Sequence, residues 1–218
     1  MSTFNFKNRE VSCKIVYYGP SLSGKTTNIC HIHQRAPEDA RSKLQSVDTD
    51  GDRTLFFDHF ALDLGQIGGM RTKFQVFGVP GQSYYRVTRK MVLAGVDGIV
   101  FVADSARERL GDNLESLDDM RQLLSEHGYS HRVIPMVIQY NKRDLAGARD
   151  VAELQRLLNP RGLPHFEAVA TEGRGVIETF KTICARVVAA LNKEPADAPD
   201  ATGATDRRSH PPPVQQES

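Results

Sequence analysis

Apolar residues in this chain follow two different spacings, and the two spacings alternate along most of its length. Short apolar runs and alternating segments are typical of strands, whereas apolar residues at intervals of three and four indicate helices with one buried face. Strands are predicted at residues 13–19, 54–65, 70–79, 98–104, 133–142 and 165–171. Helices are predicted at residues 25–35, 113–128, 151–159 and 175–193. This order favours a sheet of parallel strands with helices packed on both faces.

One pair of strands is predicted to depart from this parallel arrangement. The segments 54–65 and 70–79 are separated only by the turn sequence "QIGG", which is typical of a hairpin. We therefore expect these two strands to pair antiparallel. The predicted fold class is α/β, with a mostly parallel central sheet, one antiparallel strand and helices on both faces.

The composition of the chain changes after residue 193. Residues 194–218 are rich in proline, alanine and aspartate and contain almost no large apolar side chain. Such a segment buries too little apolar surface to offset its loss of conformational entropy, so we expect it to be a disordered tail. The predicted organisation is one folded domain at residues 1–193, followed by this tail.

Charge and cysteine content exclude several classes of function. The formal net charge is +1, from 28 lysines and arginines against 27 aspartates and glutamates, so we expect no nucleic-acid partner. No apolar run approaches the roughly 18 residues of a membrane helix, so we expect no direct membrane insertion. The three cysteines fit no zinc spacing, which favours buried thiols in a reducing cytoplasm.

A glycine-rich segment, "GPSLSGKT" at residues 19–26, lies between a predicted strand and a predicted helix and matches the P-loop pattern. Backbone N–H groups and the following helix N-terminus would surround phosphate oxygens there. We expect Lys25 to reach the β- and γ-phosphates, the Thr26 hydroxyl to bind Mg²⁺, and Thr27 to contact the α-phosphate. An ordinary turn between strand and helix is the alternative. The predicted phosphate-binding residues of this segment are Gly19, Ser21, Leu22, Ser23, Gly24, Lys25, Thr26 and Thr27.

A second polar segment, "NKRD" at residues 141–144, follows a predicted strand. A carboxylate at Asp144 would accept two hydrogen bonds from guanine, whereas adenine offers no such pair of donors. The backbone of Ala170, at the next strand end, is placed to meet the guanine oxygen. A solvated charged loop is the alternative reading of this tetrapeptide. The predicted guanine-binding residues are Asn141, Lys142, Asp144, Val169, Ala170 and Thr171.

Taken together, these motifs resemble the Ras-like small GTPases, and in particular the bacterial gliding-motility and polarity GTPases of the MglA family. The similar segments are "KIVYYGPSLSGKTTN", "DRTLFFD", "VPGQ", "GVDGIVFVADSA", "VIQYNKRDL" and "EAVATEG". The resemblance covers nearly the whole folded part. It implies a Ras-like P-loop GTPase fold, Mg²⁺ as cofactor, and GTP and GDP as substrate and product. It also implies a molecular switch whose hydrolysis is slow without an activating partner.

The resemblance further implies roles for two switch segments. Thr54 would bind Mg²⁺ and the γ-phosphate, Gly81 would donate its N–H to the γ-phosphate, and Gln82 would orient the attacking water. Arg53 would act as an intrinsic arginine finger that a partner moves into place. The implied catalytic residues are thus Gln82 and Arg53, and the implied metal ligands are Thr26 and Thr54. The plain alternatives are a threonine that starts a strand, an exposed glutamine and a solvated arginine.

Two positions depart from the usual Ras-like pattern. Gly78 stands where most such proteins have an aspartate that holds Mg²⁺ through water. The absence of this aspartate resembles the MglA family, which also lacks it. Asp58 is a candidate to help from the outer coordination sphere instead. Ser21 stands where a glycine is usual, close to the transferring phosphate. A side chain there crowds the transition state, so we expect binding to be kept and hydrolysis to be slow.

By the same resemblance, the expected partners are a small roadblock-fold protein of the MglB kind, acting as GTPase-activating protein, and motility or polarity effectors. A link to cytoskeletal filaments is left open. The expected location is the cytoplasm, with concentration at the cell poles left open. Two other functions stay open: a GTP-bound scaffold with little hydrolysis, suggested by Ser21, and a P-loop ATPase or kinase, which Asp144 disfavours. Residues 84–90, "YYRVTRK", suit either a partner interface or an ordinary helix face.

Overall fold

The structure of the protein is a computed structural model that describes residues 3–5, 9–47, 57–67 and 69–192. Within these residues the strands are β1 (Thr3–Asn5), β2 (Glu10–Tyr18), β3 (Gln45–Val47), β4 (Phe57–Ile67), β5 (Met70–Gly78), β6 (Gly98–Asp104), β7 (Met136–Asn141) and β8 (His165–Glu167). The α-helices are α1 (Lys25–Arg35), α2 (Arg86–Leu93), α3 (Leu110–Glu126), α4 (Val151–Leu158) and α5 (Val176–Leu191). None of the described helices combines the length and the apolar character needed to cross a membrane.

The described strands form one sheet in the order β3-β4-β5-β2-β6-β7-β8, with β1 paired to β2 beside this path. Strands β5, β2, β6, β7 and β8 are parallel, and β4 runs antiparallel to β5. The predicted hairpin and the predicted fold class are thereby confirmed. Two short strands were not predicted: β1 pairs antiparallel with β2, and β3 pairs antiparallel with β4. Strands of three residues give too short a pattern to recognise in sequence.

Strand β2 runs through the middle of the sheet, and its alternate residues face two separate cores. Cys13, Ile15 and Tyr17 pack with apolar residues of α1 and α5. Val16 and Tyr18 pack on the opposite face with apolar residues of α2, α3 and α4. Each of these side chains is fully buried, and full burial of a large apolar side chain contributes roughly 1.5–3 kcal/mol. The period of two in the strand therefore explains why helices cover both faces.

Several boundaries differ from those predicted by one to four residues, and two of the strand ends have a clear physical cause. β8 ends at Glu167 rather than at residue 171, because the chain then enters a loop in which Val169 forms an isolated bridge with Arg174. β7 begins at Met136 because Pro135, which has no N–H to donate, precedes it. Apolar residues continue through both boundaries, so their periodicity alone does not locate the strand ends.

The parallel strands all end at the same edge of the sheet. That edge carries residues 19–24 after β2, Ser105 after β6, residues 142–144 after β7 and residues 168–173 after β8. In open α/β sheets, ligands bind outside the carboxyl ends of the strands. The two polar segments singled out in the sequence thus meet at the edge where a ligand is expected.

Candidate functional site

The loop between β2 and α1 requires glycine at both ends. A Cβ atom on Gly19 (φ +148°) would lie 2.2 Å from the Val102 carbonyl oxygen. A Cβ atom on Gly24 (φ +99°) would lie 2.2 Å from Nδ2 of Asn141. Real side chains do not approach so closely, and both φ angles favour glycine. The loop backbone therefore packs directly against the ends of β6 and β7.

Lys25 is the first residue of α1, and its side chain turns back beneath the loop. The residue is only 7% exposed, and its ammonium donates to the carbonyl oxygens of Gly19 at 2.9 Å and Pro20 at 2.6 Å. The N-terminus of α1, with its free N–H groups and the positive end of the helix dipole, lies at the same place. A buried ammonium beside a helix N-terminus forms a centre that attracts anions.

The electrostatic environment of Lys25 points the same way. Burial lowers the pKa of Lys25 to about 7, because the charged ammonium loses hydration there. The nearby charge of Arg89 lowers this pKa further, the carboxylate of Asp58 raises it, and Arg109 again lowers it. The ammonium therefore holds its proton weakly until additional negative charge, such as that of a phosphate group, comes close.

Leu22 adopts a backbone conformation that is rare for leucine. Its φ angle is +62°, and its side chain is 82% exposed, whereas the next residue, Ser23, is fully buried. A left-handed conformation costs a residue with a side chain roughly 1–2 kcal/mol. Backbone strain of this kind concentrates at ligand-binding loops, where the surrounding structure enforces it.

Two oxygen-bearing side chains meet at the mouth of the loop. The exposed Thr26 hydroxyl donates to Oδ2 of Asp58, on β4, at 2.6 Å. Asp58 in turn stands opposite Gly78 in the β4–β5 pair. Hydroxyl and carboxylate oxygens are hard ligands, so this donor set suits Mg²⁺. Thr27 follows, half-buried, in the first turn of α1.

Asn141 joins the two predicted binding loops. Its Nδ2 donates to the Ser23 carbonyl oxygen at 2.8 Å, and its Oδ1 accepts from the Ala170 N–H at 2.9 Å. Asn141 is 2% exposed, so both hydrogen bonds lie away from water, where leaving either group unpaired would be costly. One amide side chain thus fixes the glycine loop and the loop after β8 relative to each other.

Lys142 and Asp144 continue this loop with charged groups in different environments. Lys142 has a φ angle of +63°, and its ammonium donates to Oδ2 of Asp104 at 2.6 Å. Asp104 ends β6 and is 1% exposed. The Asp144 residue is exposed at the edge of the sheet, where its carboxylate is open to a ligand.

The loop after β8 carries the other predicted guanine-binding residues. Val169 and Ala170 are buried, and Thr171 is exposed. Gly173 packs against the ring of His31, on α1, so closely that a Cβ atom at that glycine would overlap the ring. The loop is thereby held against the same helix whose first residue is Lys25.

Gly81, in the second predicted switch, lies directly on the glycine loop. A Cβ atom on Gly81 would lie 2.3 Å from the backbone nitrogen of Ser21 and 2.4 Å from its Cα. Only a residue without a side chain fits this contact. The neighbouring Gln82 is exposed. Sequence analysis treated Ser21 and the second switch segment, residues 78–86, separately. In the structure they are in direct contact.

A buried arginine holds the backbone on both sides of Gly81. Arg89, on α2, donates to the carbonyl oxygens of Pro80 and Gln82 and pairs with Asp119 on α3 at 3.0 Å. The hydroxyl of Tyr18 donates to the same carboxylate at 2.5 Å. Burial raises the pKa of Tyr18, so its hydroxyl keeps the proton that it donates.

Two predicted switch residues are not described by the structure, and three residues that brace the loops were not predicted. Arg53 and Thr54 lie outside the described residues. Sequence analysis gave Arg109 and Asp104 no role, and considered Arg89 only as part of a partner interface or helix face at residues 84–90, although all three contact the predicted loops. A carboxylate that ends an otherwise apolar strand, as in "VFVAD", was the one local signal available. The two arginines gave none, because surface helices commonly carry arginine.

The sheet order, the glycine loop with its buried lysine, and the Asn-Lys-Arg-Asp loop at the same edge define the class of P-loop GTPase domains. Comparison with known proteins agrees. A sequence profile of the ADP-ribosylation factor family matches residues 2–187. The chain therefore belongs to the Arf/Ras-like family of small GTPases.

Individual relatives show which small GTPases this chain is similar to. The chain is 50% identical over 193 residues to the mutual gliding-motility protein MglA of Myxococcus xanthus (strain DK1622), covering 88% of this chain and 99% of that protein. It is 31% identical over 193 residues to the Ras-related protein RABA2d of Arabidopsis thaliana, covering 88% and 82%. It is also 31% identical over 117 residues to the ADP-ribosylation factor-like protein 1 of Drosophila melanogaster, covering 51% and 62%. The resemblance to MglA-type small GTPases predicted from the sequence is confirmed.

Proposed function

We propose that this protein is a Mg²⁺-dependent molecular switch that binds GTP and hydrolyses it to GDP. The observation that carries the proposal is the position of Asn141, which bonds both the Ser23 carbonyl and the Ala170 N–H. This contact makes one continuous site from a loop suited to phosphate and a loop suited to a base. The exposed Asp144 carboxylate gives that site its preference for guanine.

The phosphates are held by the glycine loop. Lys25 supplies the charge for the β- and γ-phosphates, and the N–H groups at the start of α1 supply hydrogen bonds. The proposed phosphate-binding residues are Gly19, Ser21, Leu22, Ser23, Gly24, Lys25, Thr26, Thr27, Thr54 and Gly81. The proposed guanine-binding residues are Asn141, Lys142, Asp144, Val169, Ala170 and Thr171.

Mg²⁺ would be held at the mouth of the loop, where it offsets phosphate charge when bound. Thr26 is the ligand from α1, and Thr54 is the proposed ligand from the first switch. The hydrogen bond between Thr26 and Asp58, at 2.6 Å, supports a role for Asp58 in orienting the coordination shell. Most Ras-like proteins carry an aspartate where this chain has Gly78. The Asp58 carboxylate lies beside the point from which a side chain at position 78 would project.

Hydrolysis is proposed to depend on Gln82 and Arg53. Water attacks the γ-phosphorus, the bond to the β–γ bridging oxygen breaks, and GDP leaves with that oxygen. Gln82 would orient the water, and the contact of its neighbour Gly81 with the Ser21 backbone supports this role. Arg53 would stabilise the charge that develops, when a partner positions it.

We further propose a role in gliding motility or cell polarity, because the relative of 50% identity is a mutual gliding-motility protein. In that role, a roadblock-fold MglB-like protein would activate hydrolysis, and motility or polarity effectors, including cytoskeletal ones, would bind the GTP form. The protein would act in the cytoplasm, with concentration at the cell poles.

The proposal is tested by measuring nucleotide affinity and single-turnover phosphate release on the same purified protein. We expect GDP to bind far more tightly than ADP, and phosphate release from GTP to require Mg²⁺. Adding a roadblock-fold protein from the same genome should accelerate release. Tighter binding of ADP would support a P-loop ATPase or kinase instead, and no binding of either nucleotide would reject the proposed site.

A second candidate function is a GTP-bound scaffold with little hydrolysis. The observation that favours it is the direct contact between Gly81 and Ser21, because it places the Ser21 side chain beside the backbone that would receive the γ-phosphate. Tight binding of GTP without phosphate release, even with the roadblock-fold protein present, would favour the scaffold.

A further inference from the structure

Arg109, the residue before α3, contacts the glycine loop through its side chain. Its Nη2 donates to the Ser21 carbonyl oxygen at 2.7 Å. Its Nη1 forms an ion pair with Asp112 in the first turn of α3, and its Nε lies 3.8 Å from Oδ2 of Asp104. The guanidinium is thus held in one orientation by two carboxylates while it bonds the loop.

Asp104 is itself rigidly placed. The Asn113 side chain holds the Asp104 backbone through two hydrogen bonds. Its Oδ1 accepts from the Asp104 N–H at 2.9 Å, and its Nδ2 donates to the Asp104 carbonyl oxygen at 2.8 Å. Oδ1 of Asp104 accepts from the Ala106 N–H at 3.1 Å, and Oδ2 of Asp104 accepts from the Lys142 ammonium at 2.6 Å. Both Lys142 and Arg109 therefore meet the same buried carboxylate oxygen.

Ser21, at the other end of this chain of contacts, is fixed from two sides. Gly81 packs against its backbone nitrogen and Cα, and Arg109 bonds its carbonyl oxygen. In the proposed site, Ser21 lies at the γ-phosphate end of the loop. Most of the proposed contacts to the α- and β-phosphates come from the residues that follow it, 23–27. The position of Ser21 therefore matters most to a third phosphate group.

We propose that Arg109 is a positioning residue that fixes the γ-phosphate end of the loop through the Ser21 carbonyl, and that Asp104 couples this contact to Lys142 in the guanine loop. This inference rests on the proposed function, since it concerns the same nucleotide site. It assigns Arg109 no contact with the nucleotide. Its consequence is that base recognition and γ-phosphate recognition share one buried carboxylate.

The test compares the full-length wild type with Arg109→Ala, Arg109→Lys and Arg121→Ala. Arg121 is the matched control, because it is an α3 arginine of similar exposure that pairs with Asp118, within its own helix. For each protein, dissociation constants are measured for GDP and for the non-hydrolysable analogue guanosine 5′-(β,γ-imido)triphosphate, together with kcat and KM for GTP and the thermal midpoint.

Loss of a charge-assisted hydrogen bond typically changes an equilibrium by about tenfold. We expect Arg109→Ala to weaken binding of the triphosphate analogue by about this factor and GDP by less than threefold, and to lower kcat more than it raises KM. Arg109→Lys should recover part of the loss, since one ammonium cannot make all three contacts. Arg121→Ala should match the wild type. A merely structural role would lower the thermal midpoint and weaken both nucleotides equally, which would overturn the proposal.

Asp104→Asn tests the coupling separately, because asparagine keeps the size of the side chain and removes its charge. We expect it to weaken GDP binding through Lys142 and, in addition, to lower the ratio of triphosphate to GDP affinity as Arg109→Ala does. An unchanged ratio would reject the coupling. If wild-type protein binds no guanosine nucleotide, the proposed function itself fails; if it binds and hydrolyses GTP but the Arg109 variants behave as wild type, only this inference fails.

Discussion

Asp58 and Gly78 stand opposite each other in the antiparallel pair β4–β5, and the Asp58 carboxylate lies where a residue-78 side chain would begin to project. A Cβ atom on Gly78 would be 3.5 Å from Oδ2 of Asp58 and 2.5 Å from Cδ1 of Ile29. The second distance is too short for real atoms, so a side chain at position 78 would force the terminal methyl of Ile29 to move. Among the described residues, Asp58 on the neighbouring strand supplies a carboxylate oxygen beside this position.

This relationship predicts that Asp58→Asn weakens Mg²⁺ binding to the GDP complex. Residues that orient metal ligands typically contribute about 10–100-fold to metal affinity, and we expect a loss in that range. Titration of Mg²⁺ against the rate of GDP release measures it. Asp63→Asn, on the same strand but paired with Arg71, is the control and should behave as wild type. Equal Mg²⁺ affinity in all three proteins would remove Asp58 from the site.

An aspartate introduced at position 78 is predicted to lower stability without strengthening Mg²⁺ binding. Gly78→Asp forces its Cβ against Ile29, and overpacking of this kind typically costs about 1–3 kcal/mol of stability. We expect a lower free energy of unfolding without tighter Mg²⁺ binding, as measured by denaturation with urea. Gly78→Ala isolates the steric effect, since it adds the same Cβ without a carboxylate. A Gly78→Asp protein that is as stable as wild type and binds Mg²⁺ more tightly would contradict the prediction.

Ser21→Gly is predicted to speed GTP hydrolysis. The Ser21 backbone touches Gly81, whose N–H is proposed to reach the γ-phosphate, so the Ser21 hydroxymethyl group would compete for space with that phosphate and with the water that Gln82 would orient. We expect a faster single-turnover rate with an almost unchanged GDP affinity, because most of the proposed contacts to the α- and β-phosphates come from residues 23–27. Equal rates for Ser21→Gly and wild type would show that Ser21 does not limit hydrolysis.

The sequence was sufficient to predict the layered fold because its main elements are long and periodic. Helix α1 was predicted with the bounds observed, Lys25–Arg35, and strand β6 with the bounds Gly98–Asp104. β1 and β3 were missed because three residues carry too little pattern, and their pairing depends on neighbours distant in sequence. The end of β8 was misplaced because the loop after it is as apolar as the strand.

The candidate site divides in the same way. Its two loops were located from sequence because each is a short contiguous motif, at residues 19–26 and 141–144. The side chains that brace these loops were not, because their contacts join distant parts of the chain: Arg109 is 88 residues from Ser21. An arginine near a helix end has the same local pattern whether it faces solvent or a loop, and only the packed fold separates the two.

The final prediction concerns pH, through Lys25. Burial lowers the pKa of its ammonium from 10.5 to about 7 in the free protein, and the charges of Arg89 and Arg109 contribute in the same direction. Bound phosphates would raise this pKa again, so the complex holds more protons than the free protein above pH 7. Affinity for GDP should therefore fall as pH rises through 7 towards 9, approaching about tenfold per pH unit.

Calorimetry in two buffers of different ionisation enthalpy should detect proton uptake on binding at pH 8. Lys25→Arg keeps its charge over this range, so its weaker binding should show no such uptake. Wild-type affinity that is constant from pH 6 to 9, with no proton uptake, would mean that Lys25 is fully charged before the nucleotide arrives.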